Sequence, residues 1–307
     1  MRSFAAALLY AFARLAGRMP WRWHSPIARM IAAAWLRGGA RESRVALRNL
    51  ELAFPELPAG ERMALRARIL RSTALQLLET LRFWTRPHAE NLALVRACGG
   101  AALFDAAIAA GRGVIVAAPH HGNWELLNQW LAARAPISIL YAPPESRVGE
   151  DFLRRVRAAD DDAQRVAQVR AEASGVRQLL RTLREGGVVG ILPDQQPKGG
   201  EGEFAPFFGK QALTMTLLSR LAARSGAAVL FAWCERTGDP GSGAPAFAVH
   251  VEAAPPDIAS ADTGVAALNA AVEAIARRDP AQYQWTYKRF KRRPKGSGET
   301  NPYRDIE

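Results

Sequence analysis

Hydrophobic positions recur along this chain at two different periods. Near the start, Phe4, Leu8, Phe12, Leu15 and Met19 fall at helical spacing, with Arg14 and Arg18 off the stripe. A further apolar stretch covers residues 27–36, and a mixed basic segment covers 41–54. A turn-rich link around Pro55 and Pro58 follows. Over residues 61–84, Leu65, Ile69, Thr73, Leu77, Leu81 and Trp84 form one stripe, predicting a long amphipathic helix that packs on a sheet. Beyond this the pattern changes. Short apolar runs at 114–118, 137–141, 188–192, 228–233 and 247–251 read as buried strands. Between and after them, 105–110, 124–134, 174–186, 215–224 and 262–278 read as helices. This alternation predicts an α/β fold with a mostly parallel central sheet flanked by helices. An N-terminal membrane-associating helical segment, 1–40, then precedes an α/β domain, 41–307, that ends in a basic tail.

The N-terminal stripe is too short and interrupted for a span, which needs roughly 20 apolar residues. Trp21, Arg22 and Trp23 suit the headgroup level, so an interfacial helix is expected; two helices packed on the domain are the alternative. The formal net charge of +12 calls for an anionic partner: nucleic acid, membrane, or an acidic protein or phosphorylated substrate. The two cysteines, Cys98 and Cys234, make no disulfide framework. Neither CxxC nor HExxH spacing is present, and Asp160-Asp161-Asp162 reads as a solvated helix end, so no metal site is expected.

Candidate chemistry lies where the 114–118 strand hands over to a helix, at Pro119-His120-His121-Gly122-Asn123-Trp124-Glu125. Ligands of open α/β sheets bind beyond the carboxyl ends of the strands. Asn123 is a good N-cap. Imidazole titrates near neutrality and can take a proton from a hydroxyl, and a carboxylate on its other nitrogen fixes the tautomer. His120 is therefore a candidate base and Glu125 its orienter, with N–H groups near Gly122 and Asn123, or an Arg, available to an oxyanion. A buried structural histidine and a helix-start carboxylate are the competing reading. Asp194 and Gln195 follow another strand, which puts Asp194 either on the same crevice or in a plain loop turn. Residues 198–209 read as a loop whose Phe207 and Phe208 contact an acyl chain, form a lid, or plug the core. Lys288, Arg289, Lys291, Arg292, Arg293 and Lys295 read as a basic run, either a solvated tail or a nonspecific phosphate binder. The tail beyond Gly296 reads as frayed. Interleaving of the basic run by Trp285, Tyr287 and Phe290 would also suit RNA, but no nucleic-acid fold signature accompanies it.

His120-x4-Glu125 within HHGNWE resembles the HX4D/E motif of the lysophospholipid acyltransferase superfamily, and more narrowly the lipid A biosynthesis (lauroyl/myristoyl) acyltransferases. Arg48-Asn49-Leu50 with Phe54-Pro55-Glu56-Leu57, Asp194-Gln195 with 204–209, and Gln282-Tyr283-Gln284-Trp285 with 288–294 resemble further blocks of that family in the same order. The resemblance implies a metal-independent O-acyltransferase without a cofactor. Its donor would be an acyl carrier protein thioester or acyl-CoA, and its acceptor a hydroxyl on a Kdo-bearing lipid A precursor. It also implies anionic lipid as a partner, and a place on the cytoplasmic face of the bacterial inner membrane. Relatives in the wider group acylate mannosylated phosphatidylinositol, ornithine lipids or pigment lipids. The family usually has an arginine after the tyrosine that Tyr141 matches; here Ala142 stands there, and Arg147, or Arg154 and Arg155, would substitute. On this reading Asn123, Arg147, Arg154, Asp194, Gln195, Phe207, Phe208 and Arg289 bind substrate, around His120 and Glu125.

Overall fold

The computed structural model describes residues 2–141, 146–158, 165–197, 201–238 and 243–306. Four helices lead: α1 (Arg2–Ala16), α2 (Trp21–Arg37), α3 (Arg41–Ala53) and α4 (Ala59–Phe83). The 41–54 segment is thus helical, and Val45, Ala46 and Leu50 give it a buried face. After α5 (His88–Leu92), strands and helices interleave: β1 (Val95–Gly99), α6 (Ala101–Ala109), β2 (Val114–Ala117), α7 (Trp124–Arg134), β3 (Ile137–Tyr141), α8 (Arg147–Ala158), β4 (Val166–Arg170), α9 (Ala173–Arg184) and β5 (Val188–Ile191). The remainder is β6 (Glu203–Phe207), β7 (Lys210–Thr214), α10 (Leu217–Ser225), β8 (Ala228–Arg236), β9 (Phe247–Ala253), α11 (Gly264–Arg278) and a short 3-10 turn, Pro280–Gln282.

The seven-stranded sheet has the order β1-β9-β8-β2-β5-β3-β4. Strands from β8 to β4 run parallel, while β9 is antiparallel to β8 and parallel to β1. The central strands are buried on both faces, as parallel strands covered by helices must be. One core layer, under α7, contains Val114, Val116, Leu126, Leu127, Trp130 and Ile139. The other contains Ile115, Ala117, Leu179, Leu183, Val189 and Leu221. Helices α1 and α2 both pack on α4, and α1 also packs on α8. His24, Ser25, Ala28 and Ala32 of α2 are buried, while Phe4, Leu8, Phe12 and Leu15 of α1 face outward. Among the described residues, no helix is long and apolar enough to cross a membrane.

The expected 198–209 loop is in part a two-stranded antiparallel hairpin, β6–β7. Pro206 is tolerated because a two-stranded ribbon has only edges. Its turn places Phe208 at φ 49°, a left-handed conformation rare outside glycine. The frayed tail is also corrected: Tyr303 and Ile306 are buried in the core. The Arg48-Asn49 signature explains why. Asn49 donates to the carbonyls of Trp285 (2.6 Å) and Tyr287 (2.8 Å), and the Tyr303 hydroxyl donates to its side-chain oxygen. Arg48 bonds the Pro302 carbonyl and pairs with Asp305. The signature is a clasp that ties the last segment to α3. Asp160-Asp161-Asp162 and Ala142 lie outside the described residues.

Candidate active site

The in-register pairing of β2 with β5 sets Ala117 opposite Ile191. Three residues beyond each lie His120 and Asp194, so the sheet itself delivers them side by side. His120 Nδ1 lies 2.7 Å from Asp194 Oδ1, and the His120 backbone N–H donates to Oδ2 at 2.9 Å. An ionised carboxylate only accepts, so Nδ1 donates, and it is in the neutral ring that Nε2 carries a lone pair. Gln195 Nε2 stands 3.3 Å from that nitrogen and also donates to Gln284 Oε1 at 3.0 Å. Burial alone would raise the Asp194 carboxyl; the charge and hydrogen bonds of the His120 ring outweigh it and hold the group below its ordinary value. The phenol of Tyr283, pushed well above its ordinary value by burial and then by Asp194, stays neutral against it.

This corrects the expected orienter. Glu125 sits in the first turn of α7 and lines the same cavity as His120, but the carboxylate on Nδ1 is Asp194. Two residues five apart on one loop and helix start, His120 and Glu125, cannot outbid two adjacent strands held in register.

The 120–123 loop is locked from behind. Gly122 N–H donates to Gln282 O (3.0 Å), Asn123 N–H to Cys234 O (2.7 Å), and Gln284 N–H to His120 O (3.0 Å). Those first two N–H groups are therefore not available to an oxyanion. Gly122 has φ 64°, and a Cβ there would stand 1.9 Å from Cys234 O, so only glycine lets the strand approach. Asn123 caps α7, its side chain accepting from Leu126 N–H at 3.2 Å. Its amide donates to Glu79 Oε2, also at 3.2 Å. Asn123 is fully buried, and its side chain is taken up by the helix cap and by Glu79. Glu79 is held bidentately by Arg236 at 2.7 and 2.6 Å, a buried ion pair that the sequence reading missed. Burial would lower the guanidinium's pKa, but Glu79 outweighs it and raises it. His121 points into the core, among the described residues neither ring nitrogen has a hydrogen-bond partner, and burial pushes its pKa down to about 4.

A cavity of about 1050 Å³ opens beside His120. Glu125, Gln195 and Tyr141 share its lining with apolar side chains including Ile139, Val176, Leu192 and Leu221. Other expected site residues lie elsewhere. Phe207 and Phe208 are buried against Phe54, Tyr283, Trp285 and Phe290 in the core, because the hairpin folds them inward. Arg289 is buried too, outside the cavity lining, donating to Leu213 O, Thr214 Oγ1 and Asn269 Oδ1, so it braces the hairpin. Lys288 bonds the Ile306 carbonyl and Arg293 the Gln211 carbonyl, which leaves Lys291, Arg292 and Lys295 as the exposed cations of that run. Arg147 is exposed at the start of α8 and outside the cavity lining. The Arg154 side chain lies outside the described residues. Among those residues, no group of three His, Cys, Asp or Glu side chains is placed to hold a metal.

A histidine held by a carboxylate at the mouth of an α/β sheet, facing a part-apolar cavity of about 1050 Å³, has the form of an enzyme site. Comparison with known proteins narrows it. The sequence profile of the bacterial lipid A biosynthesis acyltransferases matches residues 1–292, and the chain belongs to that family. It is 27% identical over 264 residues to the lipid A biosynthesis lauroyltransferase of Escherichia coli, covering 85% of this chain and 83% of that one. It is 30% identical over 260 residues to the palmitoleoyltransferase of the same organism, covering 83% and 81%. A short match, 49% over 41 residues and 13% of each chain, links it to a phosphatidylinositol mannoside acyltransferase of Mycobacterium tuberculosis. The chain is an acyltransferase of lipid A biosynthesis type.

Proposed function

We propose that this protein moves a fatty acyl chain from an acyl carrier protein thioester, or acyl-CoA, to a hydroxyl of a Kdo-bearing lipid A precursor. The supporting observation is the His120–Asp194 pair opening on a part-apolar cavity in a chain of this family. His120 Nε2 takes the acceptor hydroxyl's proton as its oxygen attacks the thioester carbonyl. Asp194 holds the ring and stabilises the imidazolium. Collapse of the tetrahedral intermediate breaks the C–S bond; the departing thiolate takes the proton from His120, leaving ester and free thiol. The positive N-terminal end of α7 and the Gln195 amide serve the transient oxyanion. Glu125 belongs to the same cavity wall and favours that helix end. These steps call for no metal, cofactor or covalent enzyme intermediate.

The outward row Phe4, Leu8, Phe12 and Leu15 on α1, with Trp23 and Met30 exposed on α2, suits an interfacial helix on the cytoplasmic face of the inner membrane. Exposed arginines and lysines supply attraction to anionic lipid. A second reading keeps the reaction and changes the acceptor to another glycolipid, ornithine lipid or pigment lipid. It is favoured by Arg147 lying outside the cavity, which removes one of the arginines expected to stand in for the family's phosphate contact.

Mass spectrometry of lipid A from a host lacking its own late acyltransferases tests the proposal. Expression should add one acyl mass, and folded His120→Ala should add none. Retained addition by His120→Ala would sink the mechanism; addition to a different lipid would select the second reading.

A further inference from the structure

The cavity straddles the edge of the sheet. Ile139 and Leu140 are successive residues of β3 and so face opposite sides, yet both line it. Ile139 belongs to the layer under α7, while Leu140 packs against the layer under α9 and α10. One arm therefore runs past Trp84, Trp124 and Val156 of α8, and the other past Val176 of α9 and Leu217 and Leu221 of α10. They meet at His120 and Gln195, above the ends of β2 and β5.

The α9–α10 arm carries a charge that the mechanism above does not use. Arg220 and Arg224 lie one turn apart on the face of α10 that lines the cavity. Both are exposed, and among the described residues neither has a hydrogen-bond or ion-pair partner. Glu172, Glu201 and Glu203 also line the cavity, so the positive spot is small and shares its pocket with carboxylates. Such a spot suits one phosphate on a slender chain better than a multiply phosphorylated headgroup, which the carboxylates would repel. Gln196 and Thr216, also in the lining, offer polar groups to amides along such a chain.

We propose that Arg220 and Arg224 bind the phosphate of the donor's carrier arm, so that a phosphopantetheine-type chain lies along α9–α10 with its thioester at His120. The proposal rests on the acyl-transfer reading and adds to it where the donor enters. Phosphate could also come from the acceptor, and the test separates the two. Non-hydrolysable S-dodecyl phosphopantetheine and S-dodecyl pantetheine are titrated into the full-length protein in nonionic detergent, following the fluorescence of Trp84 and Trp124. The same is done with a monoacyl glucosamine 1-phosphate and its phosphate-free form. The native protein, and His120→Ala, should bind the phosphorylated thioether about tenfold more tightly than the unphosphorylated one. R220Q/R224Q, checked for an unchanged melting temperature, should bind both thioethers equally. Equal affinities in the native protein, or a preference that survives the double substitution, would overturn the proposal, as would loss of the glycolipid's phosphate preference alone. If neither thioether binds, it is the acyl-transfer reading that fails; if both bind equally, that reading stands and the donor site does not.

Discussion

Replacing Asp194 by Asn tests the site at its most informative point. Asp194 accepts two hydrogen bonds from one residue, from the His120 backbone N–H at 2.9 Å and the ring at 2.7 Å. An Asn side chain is nearly the same shape and has one oxygen. If that oxygen keeps the backbone N–H, the amide NH2 faces Nδ1 and requires a lone pair there. The ring must then carry its proton on Nε2, the atom that should receive the acceptor's proton, and that N–H would point at the Gln195 amide 3.3 Å away. If the oxygen instead serves the ring, the backbone N–H is left buried and unpaired. Losing the charge-assisted bond costs about 1.5–3 kcal/mol of stability. Catalysis should suffer more, because the wrong tautomer removes the base altogether. The corresponding change in a serine-protease triad lowers kcat about 10⁴-fold, and a fall of about 10³- to 10⁴-fold is expected here. Acyl transfer from a thioester, followed by thiol release, gives the rate; nitrogen-15 spectra of the histidines report the tautomer. A folded Asp194→Asn protein within tenfold of the native rate would refute the reasoning.

Two further outcomes concern the scaffold. Glu79→Gln should lower unfolding free energy by about 3–5 kcal/mol in urea titration, because it strands the buried Arg236 guanidinium; a loss below 1 kcal/mol would show that the pair is not held as described. His121 has a folded-state pKa of about 4 and an ordinary unfolded value near 6.5. Between those values the unfolded chain binds more protons, so stability falls as pH falls, by about 2 kcal/mol between pH 7.5 and pH 5. His121→Leu, which sacrifices no hydrogen bond, should flatten that decline, and an equally steep decline in the variant would assign it to another group.

What could be read from the sequence was local. The 114–118 run is β-branched and short, Asn123 stands where a cap belongs, and both assignments need only neighbouring residues. The alternation of strands and helices carried the fold for the same reason. Asp194 could be placed at a strand's end, but its partnership with His120 depends on β5 lying beside β2, an adjacency that skips over β3 in sequence. Arg289 was misread because a cation in a basic run signals surface; only the fold shows Leu213, Thr214 and Asn269 converging on it. Pro206 and Gly209 disguised a hairpin as a loop, and the turn depends on Phe208 adopting a backbone conformation that no pattern of apolar residues reveals. Strand β4, Val166–Arg170, was overlooked because an edge strand with polar Gln168 and Arg170 lacks an apolar run.

The clamp on the histidine loop has a consequence for biosynthesis. Gln282 and Gln284 hold Gly122 and His120 by their main chains, and both are met more than 150 residues later in translation. The growing polypeptide can build its sheet and bring Asp194 to the His120 ring on the ribosome, yet the main chain of the 120–123 loop stays unclamped until residue 284 has cleared the exit tunnel. A chain clipped by proteolysis before residue 280 should be silent even when most of it remains folded.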